Sequence, residues 1–246
     1  MKVIVLFLFC AVCAQAKVTP DFFPVCKRTD PALEKCIIDG IDAMRPHLKA
    51  GIPEMEIPPL DPFNVPTLKV DRTASNLRLK ATIKHIVAYG GENFKIEKFK
   101  LNLDNKYVAE VKITIPKLAV TADYNVRGSK ILNLDINGKG KLVGNFSGIT
   151  VIAKGSAKPV ITEGMEYLQA DKIVTRVRLS NAQISVEDTL RPVAAASAAT
   201  FFNASPQVIL DILNPLIDET SAAVIKAFIN KVLAKVPINE VLTSKK

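Results

Sequence analysis

The sequence predicts an α+β fold, in which a highly curved antiparallel sheet wraps a long C-terminal helix. Three observations carry this expectation. From about residue 67 to 190 hydrophobicity alternates with period two, the pattern of strands with one buried face. The alternation slips phase several times, as strands do where bulges bend a sheet. From about residue 206 a helical period returns and lasts about 30 residues, or ~45 Å of helix. The hydrophobic share is 48% and Trp is absent. Ile, Val, Leu and Ala therefore supply the apolar volume.

The 246 residues fit one elongated β-rich domain. Met1-Lys2 is a short basic start, Val3 to Val12 is apolar, and Ala14-Gln15-Ala16 has the small-x-small form of a cleavage site. Residues 1–16 are read as a signal peptide rather than a buried helix, with the mature domain spanning 17–246. The apolar run is shorter than the ~20 residues that span a bilayer. The chain is expected outside the cell.

Cys10 and Cys13 belong to the signal. Cys26 and Cys36 remain, and two cysteines ten positions apart in an oxidising compartment are expected to pair. The loop stabilises the fold by roughly 2–3 kcal/mol. Zinc would need further ligands, and His47 and His85 are the only histidines. Net charge is +9; losing Lys2 leaves 9 − 1 = +8. Lysines alternate with apolar residues, as in Leu77-Arg78-Leu79-Lys80 and Val111-Lys112-Ile113. This is the solvent face of a half-buried sheet. The sequence holds no basic block interleaved with aromatics to suggest nucleic acid.

Along the mature chain, Asp30-Pro31 starts a helix, with Asp30 as cap and Pro31 in the first turn. Leu33, Ile37, Ile41, Met44 and Leu48 mark its apolar face. Pro46 is expected to kink or end it, and Gly51 to stop it. Residues 52–66 carry Pro53, Pro58, Pro59, Pro62 and Pro66 and read as an extended link. Strands follow at Leu77–Ile83, after the turn Gly90-Gly91 at Phe94–Leu103, and after the turn Asp104-Asn105 at Ala109–Ile115. Past Pro116 the phase shifts to Leu118, Val120, Ala122, Tyr124 and Val126. Leu132–Ile136 leads into Gly138, Gly140, Gly144 and Gly148, read as strand bends or narrowings. Ile149–Ala153, Ile173–Leu179 and Ile184–Val186 complete the meander. Asn203 or Ser205 can cap the last helix, Pro206 suits its first turn, and Pro215 bends it.

Nothing in the sequence asks for an enzyme. His47 and His85 lie in no catalytic pattern, G-x-S-x-G is absent, and Gly138-Lys139-Gly140 lacks the rest of a phosphate loop. Asn145-Phe146-Ser147 is an N-glycosylation acceptor, expected at an exposed edge. Asn203-Ala204-Ser205 also fits that pattern but reads better as a helix cap.

Cys26-Lys27-Arg28-Thr29-Asp30-Pro31, followed by Cys36, resembles the N-terminal cysteine motif of the insect takeout and haemolymph juvenile-hormone-binding proteins. Gly51-Ile52-Pro53-Glu54-Met55-Glu56-Ile57-Pro58-Pro59-Leu60-Asp61-Pro62 is similar to the segment that follows it in that family. Phe202-Asn203, Val236-Pro237-Ile238 and Val241-Leu242 resemble its ending. The missing second cysteine pair and missing Trp place the resemblance on the takeout side.

The resemblance implies a tubular lipid-binding fold with a hydrophobic tunnel. It also implies carriage of juvenile hormone, another terpenoid, or a quinone-like or fatty molecule in haemolymph or sensory fluid. Candidate lining residues are Phe22, Phe23, Phe63, Phe94, Phe99, Tyr124 and Phe146, with Ile209, Leu213, Ile217, Val224 and Phe228 on the helix. Tyr124 is also a candidate hydroxyl donor to a ligand. The expected partner is a small hydrophobic ligand, bound by a monomer without cofactor, metal, nucleic acid or stable membrane insertion. The alternative is a membrane-surface binder of lipid or lipopolysaccharide.

Overall fold

The structure is a computed structural model that describes residues 19–74, 77–103, 107–131 and 134–244. The expected signal peptide, the turn at 104–105 and Leu132 lie outside the described residues. The first strand, β1 (Cys26–Lys27), is joined by the disulfide Cys26–Cys36 to the first helix, α1 (Leu33–Ala43). Asp30 does not cap that helix directly. Its Oδ1 accepts the Ala32 amide at 2.8 Å and closes the turn that leads into Leu33. The break comes at Met44, two residues before Pro46. Pro46, which has no N–H to give, instead sits in the first turn of a second helix, α2 (Arg45–Ala50). Gly51, at φ +81°, ends it.

The proline-rich segment is not the extended link its composition suggests. A 3₁₀ turn at Pro53–Met55 and a bridge between Ile52 and Ile57 fold it back on itself. Ile52, Met55 and Ile57 are all buried. Prolines tolerate this because the turn needs few donors, and the apolar side chains between them gain burial.

The sheet begins earlier than the alternation suggests, with β2 (Phe63–Ala74). Pro66 is accommodated because β2 is an edge strand, paired only with β3 (Leu77–Tyr89). β4 (Lys95–Asn102), β5 (Tyr107–Ile131), β6 (Leu134–Thr162), β7 (Met165–Arg178) and β8 (Asn181–Asp188) follow. The order is β2-β3-β5-β6-β7, with β4 beside β5 and β8 beside β6.

Two of the phase slips in the sequence have different physical origins. Between Ile96 and Lys98 the register with β5 shifts, so Glu97 is a bulge of one strand. At Pro116 the register does not shift, because β6 slips with β5. Gly148, at φ +59°, lies across from the proline, and pairing resumes unchanged at Lys117–Ser147. Both strands turn over together there, and the sheet bends without losing its ladder. A further bulge, between Lys84 and Val87, holds His85 at φ +48°.

The C-terminal part has two helices more than the sequence period suggests. α3 (Pro192–Ala204) is uncharged and Ala-rich, and it packs on β8. α4 (Pro206–Leu233) is the long helix, with Pro215 inside it. α5 (Ile238–Val241) leads to β9 (Leu242–Thr243), which pairs in parallel with β1. Asn203 does not cap α4. Its amide side chain accepts the Ile184 N–H at 2.8 Å and donates to the Ile184 carbonyl at 2.9 Å, so it satisfies the edge of β8.

α4 closes the open side of the curled sheet. Along β7, whose other edge is unpaired, Asp218 Oδ1 accepts the Val177 amide at 2.6 Å and Asn230 Oδ1 accepts the Ala170 amide at 2.8 Å. The Thr175 hydroxyl donates to the Asp218 carbonyl at 2.5 Å. On the β2 side, Phe228 meets Phe63 edge-on at 5.8 Å and Glu219 pairs with Arg72 at 3.3 Å. An edge amide robbed of its acceptor costs about 1–3 kcal/mol. Asp218→Leu and Asn230→Leu are each expected to lower stability by about that amount. In urea titrations the midpoint falls while the slope stays unchanged.

Candidate functional site

The side chains facing into the curl form apolar rows across the strands. Ile96, Ile113, Val151 and Val177 stand side by side on β4, β5, β6 and β7, and Phe99, Val111, Ala153 and Thr175 form the next row. Yet most of these residues on β4 and β5 are only half-buried. The close-packed clusters lie elsewhere. One, at the C-terminal end of α4, gathers Phe23, Met44, Ile52, Met55, Ile57 and Val236 against Phe228 and Val232. Beside it Cys26, Leu33, Ile238 and Leu242 make a second. A third, at the N-terminal end of α4, holds Ala182, Phe202, Ile209 and Leu210 against Phe146, Leu213 and Ile217. The two ends are plugged by these clusters, and between them the rows are half-accessible on β4 and β5 while Ala153, Thr175 and Val177 toward β7 are buried.

The expected lining residues divide accordingly. Phe23 belongs to the first plug, and Phe146, Ile209, Leu213 and Ile217 to the plug at the other end. Phe63 and Phe228 form the seam. Phe99 and Val224 are half-buried along the middle. Phe22 is 36% exposed and stacks on His47 at 3.7 Å. Phe94 lies under the Arg45 guanidinium at 4.3 Å.

Tyr124 is committed to the protein. Its hydroxyl donates to Asp188 Oδ2 at 2.7 Å, and burial, reinforced by that carboxylate, pushes its ionisation far above the usual tyrosine range. In the register Tyr124, Gly140 and Asp188 stand in one row, with Gly140 in the middle. A Cβ on Gly140 would meet the Glu187 carbonyl at 1.8 Å, so that glycine lets β8 lie close, and a Cβ on Gly138 would meet Asp188 Oδ2 at 2.1 Å, so that glycine leaves the carboxylate room to reach the phenol. Asp188 also accepts the amides of Lys139, Leu190 and Arg191. It thereby fixes the chain entering α3. The glycines at 138 and 140 thus serve this junction.

Neither histidine forms a catalytic arrangement. His47 stacks on Phe22, and His85 Nδ1 lies 2.8 Å from Asp123 on the outer surface. Among the described residues no His, Cys, Asp and Glu side chains gather as a metal ion requires, and no helix is long and apolar enough to cross a membrane. Asn145 is exposed, but it sits mid-strand in β6 between Ala119 of β5 and Gln183 of β8, not at a sheet edge.

The family model described as haemolymph juvenile hormone binding protein matches residues 3–243. The chain belongs to that family. The circadian clock-controlled protein daywake of Drosophila yakuba is 23% identical over 224 residues, covering 87% of this chain and 85% of the relative. Its Drosophila melanogaster counterpart is 23% identical over the same length. The crystal structure of Epiphyas postvittana Takeout 1 shares the fold, with a TM-score of 0.72 and 22% identity over 89% of this chain and 99% of that one. The α+β class read from the sequence, with a curled antiparallel sheet and a long C-terminal helix, is therefore the fold of this family.

The Tyr124–Asp188 junction has a pH signature. The Tyr124 hydrogen bond, helped by the amides of Arg191, Leu190 and Lys139, holds the Asp188 carboxyl below its ordinary range against the opposing effect of burial. A carboxyl with a lowered folded-state pKa stabilises the fold above its unfolded value, near 4, and that stability is lost as pH falls through the folded value. Tyr124→Phe removes the largest cause, so its acid unfolding, followed by circular dichroism, is expected to begin at a higher pH than in the parent.

Proposed function

We propose that this chain is a secreted, monomeric carrier that encloses one small hydrophobic molecule, such as a terpenoid, a quinone-like compound or a fatty chain, between the two plugs. The observation that carries this reading is the distribution of burial: clusters packed at both ends and, between them, apolar rows that are half-accessible on β4 and β5. An apolar guest completes the missing contacts and gains about 25 cal/mol for each Å² taken from water. Family membership supports the same reading, since the family is named for hormone binding. The exposed Asn145 fits a glycan on the outer wall of a secreted protein.

Organic extraction of purified protein followed by mass spectrometry is expected to release a stoichiometric apolar compound, and delipidated protein to take up a long-chain fluorescent probe. No released compound together with no uptake of juvenile hormone, fatty acid or probe would overturn the proposal. Val224 lies on the α4 stripe between Ile217 of one plug and Phe228 beside the other. Val224→Trp is expected to cut probe affinity at least ~10-fold by occupying the guest's volume, at a stability cost of only about 1–3 kcal/mol. Probe titration and thermal melting measure the two effects separately.

A further inference from the structure

The outer face of the sheet has a charge distribution that neither the fold nor the interior uses. On β2, β3, β5, β6 and β8 opposite signs face each other in several outward rows, and where Arg78 meets Lys130 the next residue across, Asp135, lies 3.6 Å from the lysine. Lys84, Asp123, Lys141 and Glu187 form one cross-strand row, and Asp71 stands opposite Lys80. The half formed by β4, β5, β6 and β7 carries one outward row with no acid in it and one with a single acid between two lysines. One row there is Lys98, Lys112, Ile152 and Arg176. The next is Lys100, Glu110, Lys154 and Val174. Lys95 and Lys172 extend the face at its two ends. The nearby acids are Glu97, which accepts the Thr114 hydroxyl at 2.9 Å, Glu110 and the bulged Asp171.

Like charges placed directly opposite destabilise a sheet, yet Lys98 and Lys112 are register partners. The ion pairs of the described residues lie elsewhere and engage none of Lys98, Lys112, Lys154 or Arg176. Between these cations two aliphatic side chains stand in solvent: Ile152, 41% exposed, and Val174, 49% exposed. They are diagonal neighbours across β6 and β7.

We propose that the outer face of β4–β7 docks peripherally on an anionic phospholipid surface. Cations spaced across four strands suit a plane of phosphate and carboxylate groups, and long lysine stems reach headgroups while their methylenes lie along the acyl boundary. Ile152 and Val174 decide between polyanions. They gain burial at a lipid interface and gain nothing from a sulfated polysaccharide. The two rows also carry no aromatic ring on which a nucleic-acid base would stack. The proposal goes beyond the carrier reading and does not rest on it. Vesicle docking and ligand uptake are separate measurements, and the loss of either leaves the other standing.

Flotation with phosphatidylcholine vesicles, with and without phosphatidylserine, tests it. The chain is expected to float only with phosphatidylserine and to be released by high salt. Each cation near such a surface contributes about fivefold in partitioning. The row variant Lys98→Gln/Lys112→Gln/Arg176→Gln is therefore expected to bind on the order of a hundredfold more weakly. Its melting temperature should stay level or rise, since like-charge repulsion is relieved. Lys84→Gln/Lys141→Gln, from the sign-alternating row, should leave partitioning nearly unchanged. Ile152→Ser/Val174→Ser should weaken vesicle binding while leaving retention on heparin unaltered. Equal binding to neutral vesicles, full binding by the row variant, or vesicle binding indifferent to the two serines would each overturn the proposal. The last of these, with strong heparin retention, would reassign the face to a polysaccharide.

Discussion

A curled sheet that does not close on itself leaves strands paired on one side only, here β2, β4, β7 and β8, and everything else in this fold depends on how the free side of β7 is satisfied. β7 turns part of its backbone toward α4, and the helix answers with side chains: Asp218 to the Val177 amide, Asn230 to the Ala170 amide, Lys226 to the Asp171 carbonyl. A buried donor left open would cost about 1–3 kcal/mol. Further strands could have supplied the same bonds, but they would have closed a barrel of fixed girth. A helix placed as a stave sets the strands on either side of it apart by its own diameter, ~10 Å. It turns side chains inward with helical rather than strand spacing. The rows between the ends stay half-accessible on β4 and β5, and the buried clusters gather where other segments fold over the ends.

Those end segments explain why half-accessible rows are compatible with a stable chain. The plug at the C-terminal end of α4 is built from pieces distant in sequence: Phe23, the turn at residues 52–57, and Val236 after the helix. The β1–β9 pairing holds the segment after α5 to β1 beside it, and the Cys26–Cys36 link ties β1 to α1. Thr19 is drawn into the same corner, its amide 2.7 Å from Glu240 Oε2. The other plug depends on Asp188, whose bonds to Tyr124 and to the amides before α3 bring Phe202 over the end of the sheet.

The strands and the long helix were legible in the sequence because each carries one strong period, and their misreadings are physical. α3 was missed because Pro192–Ala204 holds mostly Ala, Ser and Thr with no charge, so neither face declares itself. Asn203 looked like a cap because it precedes Pro206; a side chain that can both donate and accept found a better match in the two backbone groups of Ile184. The slip at Pro116 was visible, but its compensation at Gly148 belongs to the partner strand, thirty-two positions on. The lining set mixed residues of the middle with residues of the plugs and the rim. Apolarity marks all three, and only the distances between clusters separate them. The seam residues Asp218 and Asn230 gave no signal at all, since a polar residue on a helix ordinarily means solvent. The cationic face was equally hidden. Lysines at alternate positions look the same in every strand until the register shows which ones stand opposite each other.

The polar groups near the interior bear on what such a chamber can recognise. Tyr124 donates a hydrogen bond to Asp188, the Thr175 hydroxyl donates one to the Asp218 carbonyl, and the buried Ser129 bridges the amide and carbonyl of Lys80. Each donor is already matched within the protein. A site that rejects analogues strongly does so by leaving its own buried donors unpaired when the wrong ligand binds. A chamber whose donors are paired in advance loses little when a ligand lacks a hydroxyl or a carbonyl. Its discrimination then comes from the distance between the plugs and the girth set by α4, where one methylene more or less changes affinity by a factor of about 10 to 200. On the carrier reading, chain length and shape select the guest and its functional groups matter less. The Tyr124 phenol, the most obvious candidate hydrogen-bonding group in the sequence, would act on the guest only by holding the wall in place.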